Sequence, residues 1–235
     1  MNYRFDNSYI GPIDDDICEK IGKYDNTGKL KQIRLKNGLL LNVTKYVNNF
    51  TLILEDIKPV FEVLKTKYHI ANVDGTDYLI YKSYNSVKLS EYHKSNKNFK
   101  RTLAYYDLQR TFVFNWLMCL NVNESKIYVF PSFDKFEVVD VLKSDYVFFK
   151  IINEKSFICD AKNNYPTKTL IDKWFDGSYE KFFDLATLMT KDINPSSLKI
   201  LMNKIIIKYD SKNTKNYEAW INAVQERLFH IPQDA

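Results

Sequence analysis

The residue types that hold metals or attack carbonyl groups are few in this sequence, and their spacing does not suit them to the task. The three histidines, His69, His93 and His230, stand far apart, with no HExxH and no paired His/Cys spacing, which excludes a zinc site of known pattern. The three cysteines, Cys18, Cys119 and Cys159, form no CxxC pair and read as free, inert thiols in a reducing compartment. No GxSxG, GxxxxGK[ST] or GxGxxG occurs, and six glycines leave little material for a phosphate cradle. Asp14, Asp15 and Asp16 are hard oxygen donors that suit a divalent cation. They also suit a solvated arm, or a helix start at Ile17, and we read them that way. No metal and no cofactor is expected, and the chain reads as non-catalytic.

Binding chemistry is better represented. The first candidate surface is EYHKSNKNFKR, with Tyr92, His93, Lys94, Lys97, Phe99, Lys100 and Arg101. The second is KIIIKYDSKNTKNY, with Lys204, Lys208, Tyr209, Lys212 and Lys215, and with Tyr217 at its end. Lysines neutralise phosphates and exposed rings stack on unpaired bases, a combination that suits RNA loops or single-stranded DNA. Glu91, Asp107 and Asp210 dilute both strips. A third surface, the aromatic-rich stretch over 135–152, fits a protein partner or self-association, because aromatic side chains anchor interface centres.

These residues need elements to hold them. Asn37-Gly38 and Asp74-Gly75 each join two strand-like runs, as in a hairpin whose turn needs positive φ. Between them, Leu54, Ile57, Phe61 and Leu64 fall on one helical face, with Pro59 at a helix start; a strand over 50–55 with a helix from 58 is the alternative. RTFVFNWLMCLN, from Arg110, is the densest apolar run and the heart of a helix over 101–121. It is too short and too closely preceded by Asp107 and Arg110 to span a bilayer, so it reads as a buried core helix. Four runs follow (KIYVF, KFEVVDV, DYVFFKII, KSFICD), spaced like an antiparallel meander. Ser178 is expected to cap one helix and Ser196 or Ser197 the next. Tyr217, Trp220, Ile221, Val224 and Leu228 line the last helix, which runs to about Phe229. The expected class is α+β: antiparallel strands over about 20–160 around a buried helix 101–121, then a helical part over 165–230. In domains this gives an acidic irregular arm at 1–19, a small mixed β/α part at 20–95 and a larger part at 96–235.

The order of these elements is similar to a kinase-like layout. TDYLIYKSYNSVKLSEY stands where the last small-lobe strand and hinge would be, LNVNESKIYVF where a catalytic loop runs into a strand, and ICDAKN where a metal-binding Asp is expected. The resemblance implies Asn121 or Asn123 and Asp160 as metal ligands. Without HRD-like, DFG-like or Gly-rich motifs it implies a degenerate, non-catalytic member.

Composition sets the remaining bounds. In 235 residues, 45% are hydrophobic and 15% aromatic, which is enough for a sizeable core without metal or disulfide. Of 34 basic residues only five are Arg, and Lys, Asn, Ile, Tyr and Phe are all plentiful, which points to an AT-rich genome such as that of a large DNA virus. The net charge of +5 permits an acidic partner without demanding one. No signal-peptide core or lipidation motif is visible, so a cytoplasmic or nuclear location without membrane attachment is expected. The functional expectation is an interaction or assembly protein, with nucleic-acid binding and a degenerate kinase-like protein as alternatives.

Overall fold

In the computed structural model, residues 49–63, 65, 89, 91, 98–101, 105–120, 166–229 and 231 are described to their side chains, and a further set of strand and helix residues by backbone alone. The chain divides into two compact units, one of residues 1–48 and 66–86, the other of 49–65 and 87–235.

The first unit holds a five-stranded antiparallel sheet, traced as backbone, of β1 (Cys18–Tyr24), β2 (Leu30–Leu35), β3 (Leu40–Lys45), β4 (Tyr68–Val73) and β5 (Thr76–Lys82). Its order is β1-β2-β3-β5-β4, so the fifth strand lies between the third and the fourth. Lys45 faces Tyr78 across β3 and β5, and Val73 faces Thr76 across β4 and β5. The Asn37-Gly38 and Asp74-Gly75 turns lie outside the described residues.

The second unit is built on α1 (Phe50–Ile57), α2 (Leu103–Leu117), α3 (Lys168–Trp174), α4 (Tyr179–Thr190), α5 (Pro195–Asp210) and α6 (Glu218–Phe229). A three-stranded ladder of β6 (Val87–Lys88), β7 (Ile127–Pro131) and β8 (Phe136–Asp140) is traced as backbone in the same unit. The DYVFFKII and KSFICD runs lie outside the described residues, as do residues 1–17.

The expected fold class is corrected here. The residues described to their side chains are 82% helix and include no strand and no sheet, against an α+β class with antiparallel strands wrapped around a buried helix. α2 packs on α4 and α6 and also lies against β8, while α6 packs on α5 and α5 on α1. The physical reason lies in α2 itself. Apolar nearly all round, it needs cover on several sides, and the faces of α3, α4 and α6 supply much of it. The helix is also shorter than expected, ending at Leu117 rather than 121.

Aromatic rings fill this core. Phe50 meets Trp220 edge-on at 5.0 Å, Phe61 meets Phe114 at 5.6 Å, Trp116 meets Phe182 at 5.4 Å, and Phe112 tilts against Trp174 at 5.6 Å. Phe112, Val113, Phe114, Trp116, Leu117, Met118 and Leu120 are all buried, so the RTFVFNWLMCLN run is core. No helix among the described residues is long and apolar enough to cross a membrane.

Local signals explain most helix ends. Ser178 caps α4 through its side chain, which accepts from the Lys181 N–H at 3.2 Å. For α5 the cap is Asn194 and not Ser196 or Ser197: its Oδ1 accepts from both serine amides, at 3.0 and 3.1 Å. Pro195 then takes the first helical position, where its missing N–H costs nothing. Residues 50–55 are helix, not strand, and Pro59 follows α1 at the start of a 3-10 turn over Lys58–Phe61.

Candidate functional site

The C-terminal end of α2 is the most heavily organised place in the helical unit. The helix stops in a Schellman turn: the Leu120 N–H donates to the Asn115 carbonyl at 2.8 Å and the Cys119 N–H to the Trp116 carbonyl at 3.0 Å. Cys119 takes the left-handed position, with φ at 59°, that glycine usually fills. Two side chains of α6 reach this turn. Trp220 donates its indole N–H to the Met118 carbonyl at 2.9 Å. Arg227, only 8% exposed, donates to the Trp116 carbonyl and lays its guanidinium 5.3 Å from the centre of the Trp116 ring. Trp220 thus serves a carbonyl at the open end of the helix, and Arg227 adds a second donor to the Trp116 carbonyl that Cys119 already serves.

The antiparallel register pairs Ile127, the first residue of β7, with Asp140, the last of β8. Sequence reasoning does not single out Asp140, since KFEVVDV reads as one strand of a meander and as part of the aromatic-rich partner surface. The side chains of Asn121 and Asn123, together with Asp160, lie outside the described residues.

Two further polar clusters tie the unit together. Glu55 and Lys58 form an ion pair of 2.6 Å within α1 and its 3-10 extension, with both side chains 2% exposed. Asp56 accepts from the Lys208 ammonium at 2.7 Å, from the Tyr209 hydroxyl at 2.7 Å, and from Lys65. Burial works to raise the Asp56 pKa, but the hydrogen bonds from Lys208, Lys65 and Tyr209 outweigh it and hold the carboxyl at about 2. The same Asp56 contact raises the pKa of Lys208. Burial pushes the Tyr105 phenol up to about 12, with the nearby Asp176 charge adding to it, and its hydroxyl donates to the Trp174 carbonyl at 2.7 Å.

The basic–aromatic strips are placed as follows. Tyr92, His93, Lys94 and Lys97 lie outside the described residues. Phe99 is fully buried, edge-on to Tyr105 at 5.6 Å, so its ring has no face for a base. Lys100 is exposed and donates to Asp176 at 2.6 Å, beside an exposed Arg101. In the second strip Lys204, Lys212 and Lys215 are exposed, whereas Lys208 and the Tyr209 hydroxyl both engage Asp56. Tyr217 is buried and donates to Asp210 at 2.8 Å. Among the described residues no group of His, Cys, Asp and Glu is arranged to hold a metal ion.

No family model matches this chain, and no curated protein matches it. Among solved structures it is similar to the Helicobacter pylori proinflammatory kinase CtkA, with 13% identity over 94% of this chain and 95% of that one and a TM-score of 0.49. That neighbour is a kinase; a likeness of this size decides neither fold nor activity.

Proposed function

We propose that the chain is a kinase-like protein with a reduced catalytic set, and that its nucleotide site lies at the start of β7. The supporting observation is the register that pairs Asp140 with Ile127, the first residue of that strand. Phosphoryl transfer in kinases uses a lysine on the third strand, a glutamate on the following helix, and an asparagine and an aspartate that hold Mg²⁺ on the phosphates. Within the second unit this chain offers several of those residue types in the same order: Glu55 lies on α1, Asn121 and Asn123 follow α2 in the sequence, and Asp140 ends β8. The strand order, with α1 between β3 and β4 in the sequence and β5 paired between those strands, fits that succession.

Amide carbonyls and one carboxylate are hard oxygen donors of the kind Mg²⁺ takes alongside substrate phosphates. When bound, Mg²⁺–ATP would supply the transferable phosphoryl group; Asn121, Asn123 and Asp140 are the residues that would hold it. Within this reading Asp140 takes the metal-holding role given to Asp160 on sequence order. The catalytic set is reduced: no HRD-like sequence in the chain supplies a carboxylate in the place that orients the acceptor hydroxyl, and an amide cannot take its proton.

The test is thermal unfolding with Mg²⁺–ATP. A ligand at 100 times its Kd stabilises by about 2.7 kcal/mol, so the wild-type midpoint should rise and the rise should vanish in Asp140→Asn. A wild-type chain whose midpoint does not move with Mg²⁺–ATP refutes the proposal. Phosphate transfer to water or to the chain itself is expected to be slow even where binding is clear.

A further inference from the structure

We propose that the outer face of α5 and α6 is a dimerisation surface, on which α5 of one chain packs against α6 of a second copy. The two helices run antiparallel, side by side: the Lys199 ammonium donates to the Asn222 side-chain carbonyl at 3.2 Å, and the Gln225 amide to the Pro195 carbonyl at 3.0 Å. Their outward stripes are therefore neighbours. On α5 the stripe is Ile200, Lys204 and Ile207 at helical spacing, with both isoleucines 57% exposed. On α6 it is Glu218, Glu226 and Phe229, with the Phe229 ring 65% exposed. These three apolar side chains are half of the six large ones exposed among the described residues, gathered on one face. Clustered apolar exposure marks a contact surface, whereas single exposed side chains are ordinary.

Charge decides the occupant. The α5 stripe carries Lys204 and no carboxylate, and the α6 stripe carries Glu218 and Glu226 and no cation. None of the three joins an ion pair among the described residues. A cationic strip beside an anionic one is complementary to itself, as a two-fold contact between identical chains requires. Packing α5 on its own copy would set Lys204 against Lys204, and α6 on its own copy would set Glu218 against Glu226; like charges oppose both. A two-fold axis running along the helices lays α5 on the partner's α6 instead. It also keeps every residue at its own height, so an α5 residue meets the α6 residue that stands beside it in its own chain. Lys199 stands beside Asn222, so Lys204, five residues further along, comes level with 217 and 218 and meets the partner's Glu218. The contact is small: α5 has 16 residues, about 24 Å of helix, and two helices are about 20 Å across, which gives ~500 Å² per chain. A standard stable interface takes ~800 Å² per partner, so the dimer is reversible, with a dissociation constant on the order of 10–100 µM. It does not depend on the kinase-like reading.

Sedimentation of the full chain from about 1 to about 500 µM, on either side of that constant, tests the surface. The mass should rise with concentration from the 27.9 kDa monomer toward the dimer. Lys204→Glu and Glu218→Lys should each raise the dissociation constant roughly tenfold, because each sets like charges at both copies of the contact. Mixing the two variants in equal amounts should restore association, since the mixed dimer has opposite charges at both contacts again. A chain that stays monomeric at the top of the range overturns the proposal. So does a dimer that either charge reversal leaves unchanged, because its contact then lies elsewhere. Weakened single variants whose mixture also stays weak overturn the crossed packing of α5 on α6.

Discussion

The Glu55–Lys58 pair gives the sharpest energetic expectation in the molecule. Both side chains are 2% exposed and the ammonium sits 2.6 Å from the carboxylate, so each charge has surrendered its hydration and leans on the other. Removing the Glu55 carboxylate leaves the buried Lys58 ammonium without the group it is paired to, which costs about 3–5 kcal/mol. Replacing both by apolar residues of similar volume removes the desolvation penalty together with the attraction, and is close to neutral. Glu55→Leu alone should therefore lower the midpoint of the helical unit by roughly 6–20 °C, at about 2–4 °C per kcal/mol for a body of this size; the double variant adds Lys58→Met. The double variant should return to within about 1 kcal/mol of wild type. All three tryptophans, Trp116, Trp174 and Trp220, belong to the helical unit, so their fluorescence reports its unfolding and not that of the sheet. The reasoning fails if Glu55→Leu costs less than about 1 kcal/mol, or if the double variant is no better than Glu55→Leu.

Two further expectations concern stability. The Asp56 carboxyl titrates at about 2 in the folded chain, below its ordinary 3.8, so its contribution is present above about pH 4 and is lost as the pH falls toward 2. Lys208 and Lys65 are substantially exposed, and screening reduces that contribution to about 1 kcal/mol. Asp56→Asn should therefore be less stable than wild type at pH 7 by about that amount, with the gap closing near pH 2 in urea titrations; a gap constant with pH would refute it. Cys119→Gly places glycine at a left-handed position and should stabilise the helical unit by up to about 1 kcal/mol, seen as a higher thermal midpoint. A lower midpoint would mean that the packing of the thiol outweighs the backbone relief.

Some features of this molecule follow from its sequence alone. The burial of the segment around Trp116 did, because a helix apolar on all sides has nowhere to go but inside. So did the Ser178 cap and the stripe of Tyr217, Trp220, Ile221, Val224 and Leu228, all of them buried, since both signals are local and repeat at helical spacing. Other features were beyond its reach. Strand-like alternation suggested that sheet would surround α2, but periodicity records only that a face is apolar, not which neighbour covers it; α4 and α6 pack on it here, with β8 against it as well. Phe99 and Tyr217 looked like exposed stacking rings because charge surrounds them in the sequence, yet both turn inward. The pairing of Ile127 with Asp140, the buried contact of Glu55 with Lys58, and the reach of Arg227 across 111 residues to the Trp116 carbonyl are non-local. Each depends on which surfaces meet once the chain has folded, and that is settled by packing and hydrogen-bond satisfaction throughout the unit and not by any short run of residues.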